Sequence, residues 1–93
     1  KDDVTFGPSV YIDTHMHKFD RTDVPINQQS TSEKDVIVEE DVWIGTKVVI
    51  LQGVRVGKGS IIGASSVVTK DISPYSIFAG IPAKLIRKRK KKE

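Results

Sequence analysis

Residues 38–68, VEEDVWIGTKVVILQGVRVGKGSIIGASSVV, decide the fold. Val38, Ile44, Ile50, Val56, Ile62 and Val68 fall at intervals of six without exception. On an α-helix six residues turn about 600°, which scatters such a series over several faces. Along extended chain six is an even number, and every member points the same way. The segment is therefore strand-like. Four residues after each of the first five aliphatics stands a small or β-branched residue: Val42, Val48, Val54, Ser60 and Ser66. Each precedes the next aliphatic by two and shares its face, which leaves the residues around the pair to form corners. Gly45, Gly53, Gly57, Gly59 and Gly63 suit corners, where positive φ or close approach of neighbouring coils excludes a side chain. Three short faces close one triangular coil of about 18 residues, stacked on the next as in other solenoids. On this count Val38 to Arg55 is one coil and Val56 to Ser73 the next.

Outward from this stretch, Phe6-Gly7-Pro8-Ser9-Val10-Tyr11 and then Ile12 fit the same template before it is interrupted. Residues from about 13 to 35 are polar and aperiodic, with Pro25, Asn27, Gln28, Gln29 and the run Ser30-Thr31-Ser32, and read as a loop thrown out from a coil. Long loops in compact folds are often functional, and both histidines of the chain lie in this one. Beyond Asp71, Pro74 and then Gly80-Ile81-Pro82 break the pattern, so the coils are expected over about 38–73. Residues 74–93 read as a cap and basic tail, with Ala83-Lys84-Leu85-Ile86-Arg87 as a short helical turn over the last coil. The whole reads as one domain, 1–93. It opens Lys1-Asp2-Asp3 with no initiator methionine and no apolar signal region, as expected of the C-terminal portion of a longer, cytoplasmic protein.

Composition agrees with an all-β reading: aromatics are only 6% of residues, while Val, Ile and Gly are abundant. There is no cysteine, which excludes a disulfide scaffold, a thiolate metal site and an acyl-cysteine intermediate. No apolar run approaches the roughly 20 residues of a membrane span. The net charge of +3 misleads, because 7 of the 15 cations lie between Lys84 and Lys92, leaving 8 cations against 11 anions in residues 1–83. A mildly acidic body with a basic end argues against a nucleic-acid-binding face.

Three segments carry a resemblance: Asp41-Val42-Trp43-Ile44-Gly45, then Ile62-Gly63-Ala64-Ser65-Ser66-Val67-Val68-Thr69-Lys70-Asp71-Ile72, then Ala79-Gly80-Ile81-Pro82-Ala83-Lys84-Leu85-Ile86-Arg87. In this order and spacing the chain resembles the maltose and galactoside O-acetyltransferase branch of the hexapeptide-repeat acyltransferases. The resemblance implies a left-handed parallel β-helix, a homotrimer, and acetyl-CoA in a groove between subunits. The usual right-handedness of parallel crossovers would have given the opposite hand, so handedness rests on the resemblance alone. It also implies that Thr46, Ala64, Thr69, Lys70, Lys84 and Arg87 contact coenzyme A and that Trp43 lies near the acyl-transfer centre. In Thr14-His15-Met16-His17, His15 matches the catalytic histidine. Lys84 stands where arginine is common, and serves a phosphate as a point charge rather than a fork.

The implied chemistry is acetyl transfer from a thioester to a saccharide hydroxyl, which needs a base that titrates near neutrality, as histidine does. His15 is the candidate, His17 its rival, and Asp13 or a backbone carbonyl the candidate to orient the ring. His15 and His17 would bind a metal only if another subunit gave a third ligand, as in hexapeptide-fold carbonic anhydrases, so no metal is expected. A corner such as Ile44-Gly45-Thr46 offers backbone amides to a developing oxyanion, though Gly45 as a plain corner is an equal reading. Trp43 read alone is ordinary packing between subunits. Lys84 and Arg87 carry the charge that coenzyme A phosphates need. Lys88 to Lys92 reads as a solvated tail, with contact to an anionic membrane surface as the rarer use. Two other functions stay open: N-acetylation of an amino sugar with the same donor, and a non-catalytic interaction module of the same fold.

Overall fold

Every aliphatic of the six-residue series from Ile44 to Val68 is buried to 1% exposure or less, and Val42, Val48, Val54, Ser60 and Ser66 are buried beside them. The period therefore marks the core. The computed structural model describes residues 1–90. Its strands are β1 (Thr5–Phe6), β2 (Tyr11–Ile12), β3 (His15–His17), β4 (Thr31–Glu33), β5 (Ile37–Val38), β6 (Trp43–Ile44), β7 (Val49–Ile50), β8 (Arg55–Val56), β9 (Ile61–Ile62), β10 (Val67–Val68), β11 (Ser76–Gly80) and β12 (Ala83–Lys88).

The parallel pairs form a three-faced β-helix. Face one stacks β1, β6, β9 and β11, face two stacks β2, β7 and β10, and face three stacks β5 and β8 and continues through a bridge from Val56 to Ile72. Inward residues lie in register from coil to coil, as Phe6, Ile44, Ile62 and Phe78 do on face one. Burying a Val or Ile side chain is worth about 1.5–3 kcal/mol, so a column of nine buried aliphatics is the main source of stability. The third coil is shorter than the others, because Ile72, four residues after Val68, stands over Val56.

Corners repeat as regularly as faces. Asp41, Lys47, Gly53, Gly59 and Ser65, again six apart, all have φ between 56° and 77°. Gly45 and Gly57 serve the other need, close approach: a Cβ would lie 2.7 Å from the Ala64 amide nitrogen at Gly45 and 2.5 Å from the Pro74 nitrogen at Gly57.

Three expectations are corrected. The solenoid does not end near Pro74, since β11 adds a further parallel strand beside β9. The segment from Ala83 is no helical cap: it is β12, antiparallel to β11 after a reversal at Ile81-Pro82. One helical turn gains little for the cost of nucleation, whereas the open edge of β11 offers a ladder of unpaired backbone groups. The polar insertion is thrown out from a coil as expected, but it is not aperiodic throughout, because β3 and β4 pair antiparallel and carry it outward. Coils stack about 4.8 Å apart, so the 58 Å long axis requires such projecting arms.

Candidate active site

The hairpin that bears both histidines grows from the second corner, where face two turns toward face three. The Asp13 amide still donates to the Ile50 carbonyl at 2.9 Å, and the Lys34 amide donates to the Thr14 carbonyl at 3.0 Å, closing the base of the hairpin. Strand alternation puts His15 and His17 on one face with their partners Glu33 and Thr31, and Met16 and Ser32 on the other. The Ser32 hydroxyl accepts from Gln52 Nε2 at 2.6 Å, which ties the Met16 side of the hairpin to the solenoid. The histidine side is exposed. Farther out, Gln29 Nε2 donates to the Arg21 and Val24 carbonyls and Arg21 pairs with Asp23, whose carboxyl this bond holds below the ordinary range. The tip is thereby braced by its own side chains.

Around His15 the two neighbouring acids meet different groups. Asp13 Oδ1 accepts from the His15 backbone amide at 3.1 Å and is committed to the turn. The ring meets Glu33 instead, Nε2 to Oε1 at 3.2 Å, while Nδ1 stands 3.2 Å from Thr14 Oγ1. Neither Glu33 nor Gln52 stands out in the sequence. Glu33 is 18 positions from His15 in an aperiodic stretch, and only the pairing of β3 with β4 brings them together.

The residues matched to coenzyme A fall into two groups on one chain, not a single row. Thr46 and Ala64 stack at the first corner, where face one turns into face two, with the Ser65 amide donating to the Thr46 carbonyl at 2.8 Å. Lys84 lies opposite Ala79 on the neighbouring strand and joins this group. Thr69 and Lys70 sit instead at the second corner, above Leu51, on the hairpin's side of face two.

A bulge in β12 decides the placement of the two cations. Residues three apart on a regular strand point to opposite sides, but the register shift opposite Ile77 and Phe78 leaves Lys84 across from Ala79 and Arg87 across from Ile77. Both therefore project from the outer side of face one, and neither has a carboxylate partner among the described residues. Two unneutralised cations on one side fit the phosphates of a nucleotide-bearing thioester. Lys88 and Arg89, read as solvated tail, are tied down: Lys88 Nζ donates to Ser73 Oγ and the Pro74 carbonyl, and Arg89 Nη1 donates to the Gly59 carbonyl. Lys91 and Lys92 lie outside the described residues.

Trp43 is exposed on the outer row of face one with Thr5, Ile61 and Ile77, and lines a shallow cleft with Ile61 and Arg89. The Gly45 amide donates to the Ile62 carbonyl at 2.8 Å, so it is spent on coil stacking and is not an oxyanion donor. The Thr46 hydroxyl likewise donates to the Pro8 carbonyl at 2.6 Å. Among the described residues no group of three or more His, Cys, Asp and Glu is placed to hold a metal ion, and no helix is long and apolar enough to cross a membrane.

Comparison with known proteins gives a consistent answer. The family model "Bacterial transferase hexapeptide (six repeats)" matches residues 35–70. A galactoside O-acetyltransferase of Lactococcus lactis is 45% identical over 90 residues, covering 91% of this chain and 40% of that protein. A hexapeptide-repeat acetyltransferase of Vibrio cholerae, solved with acetyl coenzyme A, superposes with a TM-score of 0.88 at 40% identity, over 97% of this chain and 48% of the other. A galactoside acetyltransferase solved with coenzyme A gives a TM-score of 0.85 at 37% identity, over 94% and 42%. The chain thus spans less than half the length of each of these proteins.

Proposed function

The chain belongs to the hexapeptide-repeat acyltransferases and is a left-handed parallel β-helix; on that premise we propose that it transfers an acetyl group from acetyl-CoA to a saccharide hydroxyl, with His15 as general base. One observation carries this reading. The residues matched to the site fall on the two edges of face two, His15, Thr69 and Lys70 on one and Thr46, Ala64 and Lys84 on the other. A half-site on each edge is what copies packed around a threefold axis would need in order to close a groove between neighbours. The outer rows of faces one and two favour such packing. Trp43, Ile61 and Ile77 line the first, and Tyr11, Val49 and Val67 the second, whereas face three carries Arg55 and Asp71 beside Glu39. We therefore expect light scattering at micromolar concentration to give about three chains per particle, and a monomer in the protein as expressed would contradict the groove.

In this reading His15 removes the proton from the acceptor hydroxyl as its oxygen attacks the thioester carbonyl. The carbon–oxygen bond forms, the carbon–sulfur bond breaks, and His15 returns the proton to the departing sulfur. Lys84 and Arg87 hold the donor's phosphates and Trp43 walls the groove near the thioester. Galactoside acetyltransferases among the relatives favour a saccharide acceptor. Supply of acetyl-CoA favours a cytoplasmic location. Release of free thiol from acetyl-CoA in the presence of a panel of sugars tests the proposal. Turnover with a hydroxyl acceptor and a product cleaved by hydroxylamine supports it. A hydroxylamine-resistant product from an amino sugar would make it an N-acetyltransferase, and no turnover with any acceptor would leave a non-catalytic module.

A further inference from the structure

His15 and Glu33 are directly opposed residues of an antiparallel pair, on the same face of a hairpin whose other face is fastened to the solenoid through Ser32 and Gln52. Such pairs hold their Cβ atoms about 5 Å apart, so the strand register brings the two side chains within reach of each other. The ring nitrogen facing Glu33 lies 3.2 Å from Oε1. Asp13, the nearer acid in sequence, is held on the backbone amide. His17 is the only other titratable side chain on this face of the two strands, and Lys34 is turned toward the solenoid, its Cδ 3.2 Å from where a Cβ on Gly53 would stand.

We propose that Glu33 is the positioning residue of the acetyl transfer, acting on His15 through the ring nitrogen that faces it. This rests on His15 being the base. A neutral imidazole carries one N–H and one lone pair, and a carboxylate accepts only from the N–H. With the proton on the nitrogen that faces Glu33, the opposite nitrogen is left to take the proton of the acceptor hydroxyl. Thr14 Oγ1 stands 3.2 Å from that opposite nitrogen in the free protein, and the acceptor hydroxyl takes its place there. When His15 becomes positively charged during transfer, the Glu33 carboxylate lies beside the new charge and stabilises it. Glu33 itself takes no proton. The carbon–oxygen bond forms, the carbon–sulfur bond breaks, and the proton passes from hydroxyl to His15 to sulfur.

The test uses the assembled protein with Glu33→Ala, Glu33→Gln, His15→Ala and the double variant Glu33→Ala/His15→Ala. Glu33 is exposed, so these substitutions leave the fold intact, as circular dichroism can confirm. Glu33→Ala should lower kcat about tenfold, less than the about 10²- to 10⁴-fold that the base supplies, with KM for acetyl-CoA unchanged. Glu33→Gln keeps an acceptor oxygen and should recover part of the rate. In the double variant Glu33→Ala should cost nothing further, because a positioning residue has no effect once its client is gone. Nitrogen-15 NMR of the His15 ring should show one dominant tautomer in the parent and a mixture in Glu33→Ala. A normal kcat and unchanged tautomer in Glu33→Ala, alongside an inactive His15→Ala, would overturn the role of Glu33 and leave the function standing. A parent rate in His15→Ala would overturn both.

Discussion

His15→Ala should lower the rate of acetyl transfer by about 10²- to 10⁴-fold, the usual worth of a general base, while leaving coenzyme A affinity nearly unchanged. The separation of the two effects follows from geometry. His15 stands on β3, beyond the second corner, whereas Lys84 and Arg87 stand on β12 at the far end of face one. Removing an exposed imidazole from a hairpin tied down through Ser32 and Gln52 leaves the solenoid untouched. The loss should therefore appear in kcat, with equilibrium binding of coenzyme A as the control. His17→Ala should cost far less, because His17 lies across from Thr31 and the Glu33 carboxylate on the same face stands against His15 instead. If His17→Ala abolishes turnover and His15→Ala does not, the assignment within the pair is reversed; if neither matters, the catalytic reading falls.

How much of this was legible follows from which interactions are local. The core was, because an even period on extended chain leaves no choice of face: Ile44 to Val68 are all buried, and Phe6 and Ile12 pair where the template put them. Glycine marked only part of the corners, since Asp41, Lys47 and Ser65 take the same left-handed conformation that Gly53 and Gly59 do. The shortened third coil was hidden for a different reason. Ile72 continues the series of Val42, Val48, Val54, Ser60 and Ser66, so the sequence reads on in period while the chain has slipped two residues and set Ile72 over Val56. Ala83 to Arg87 suits one turn of helix as well as strand, and the choice was made by the open edge of β11, which no local pattern reveals. His15 was legible by likeness to a family motif, whereas Glu33 was not, because its role exists only after β3 and β4 pair. The hand of the coil, too, came from likeness alone.

Reversing the charge at both Lys84 and Arg87 should weaken coenzyme A binding by about 10²-fold or more, since charge-assisted hydrogen bonds to phosphate are worth about 1.5–3 kcal/mol each. The bulge in β12 makes the pair a unit by turning both side chains outward on one side of the strand. Each lacks a carboxylate partner among the described residues, and Arg87 Nη1 donates only to the adjacent Lys88 carbonyl, so the free protein loses little beside the ligand. Both side chains are exposed, and Lys84→Glu/Arg87→Glu should fold normally. Lys88 is a different case: its amine holds Ser73 and Pro74, so Lys88→Glu should loosen the end of β12 and lower thermal stability before it touches affinity. Salt separates charge attraction from contact shape. Parent affinity measured by calorimetry should fall as salt rises, because ions screen exposed charges, and the double variant should lose most of that dependence. Equal affinities in parent and double variant, at low salt where attraction is strongest, would remove β12 from the coenzyme A site.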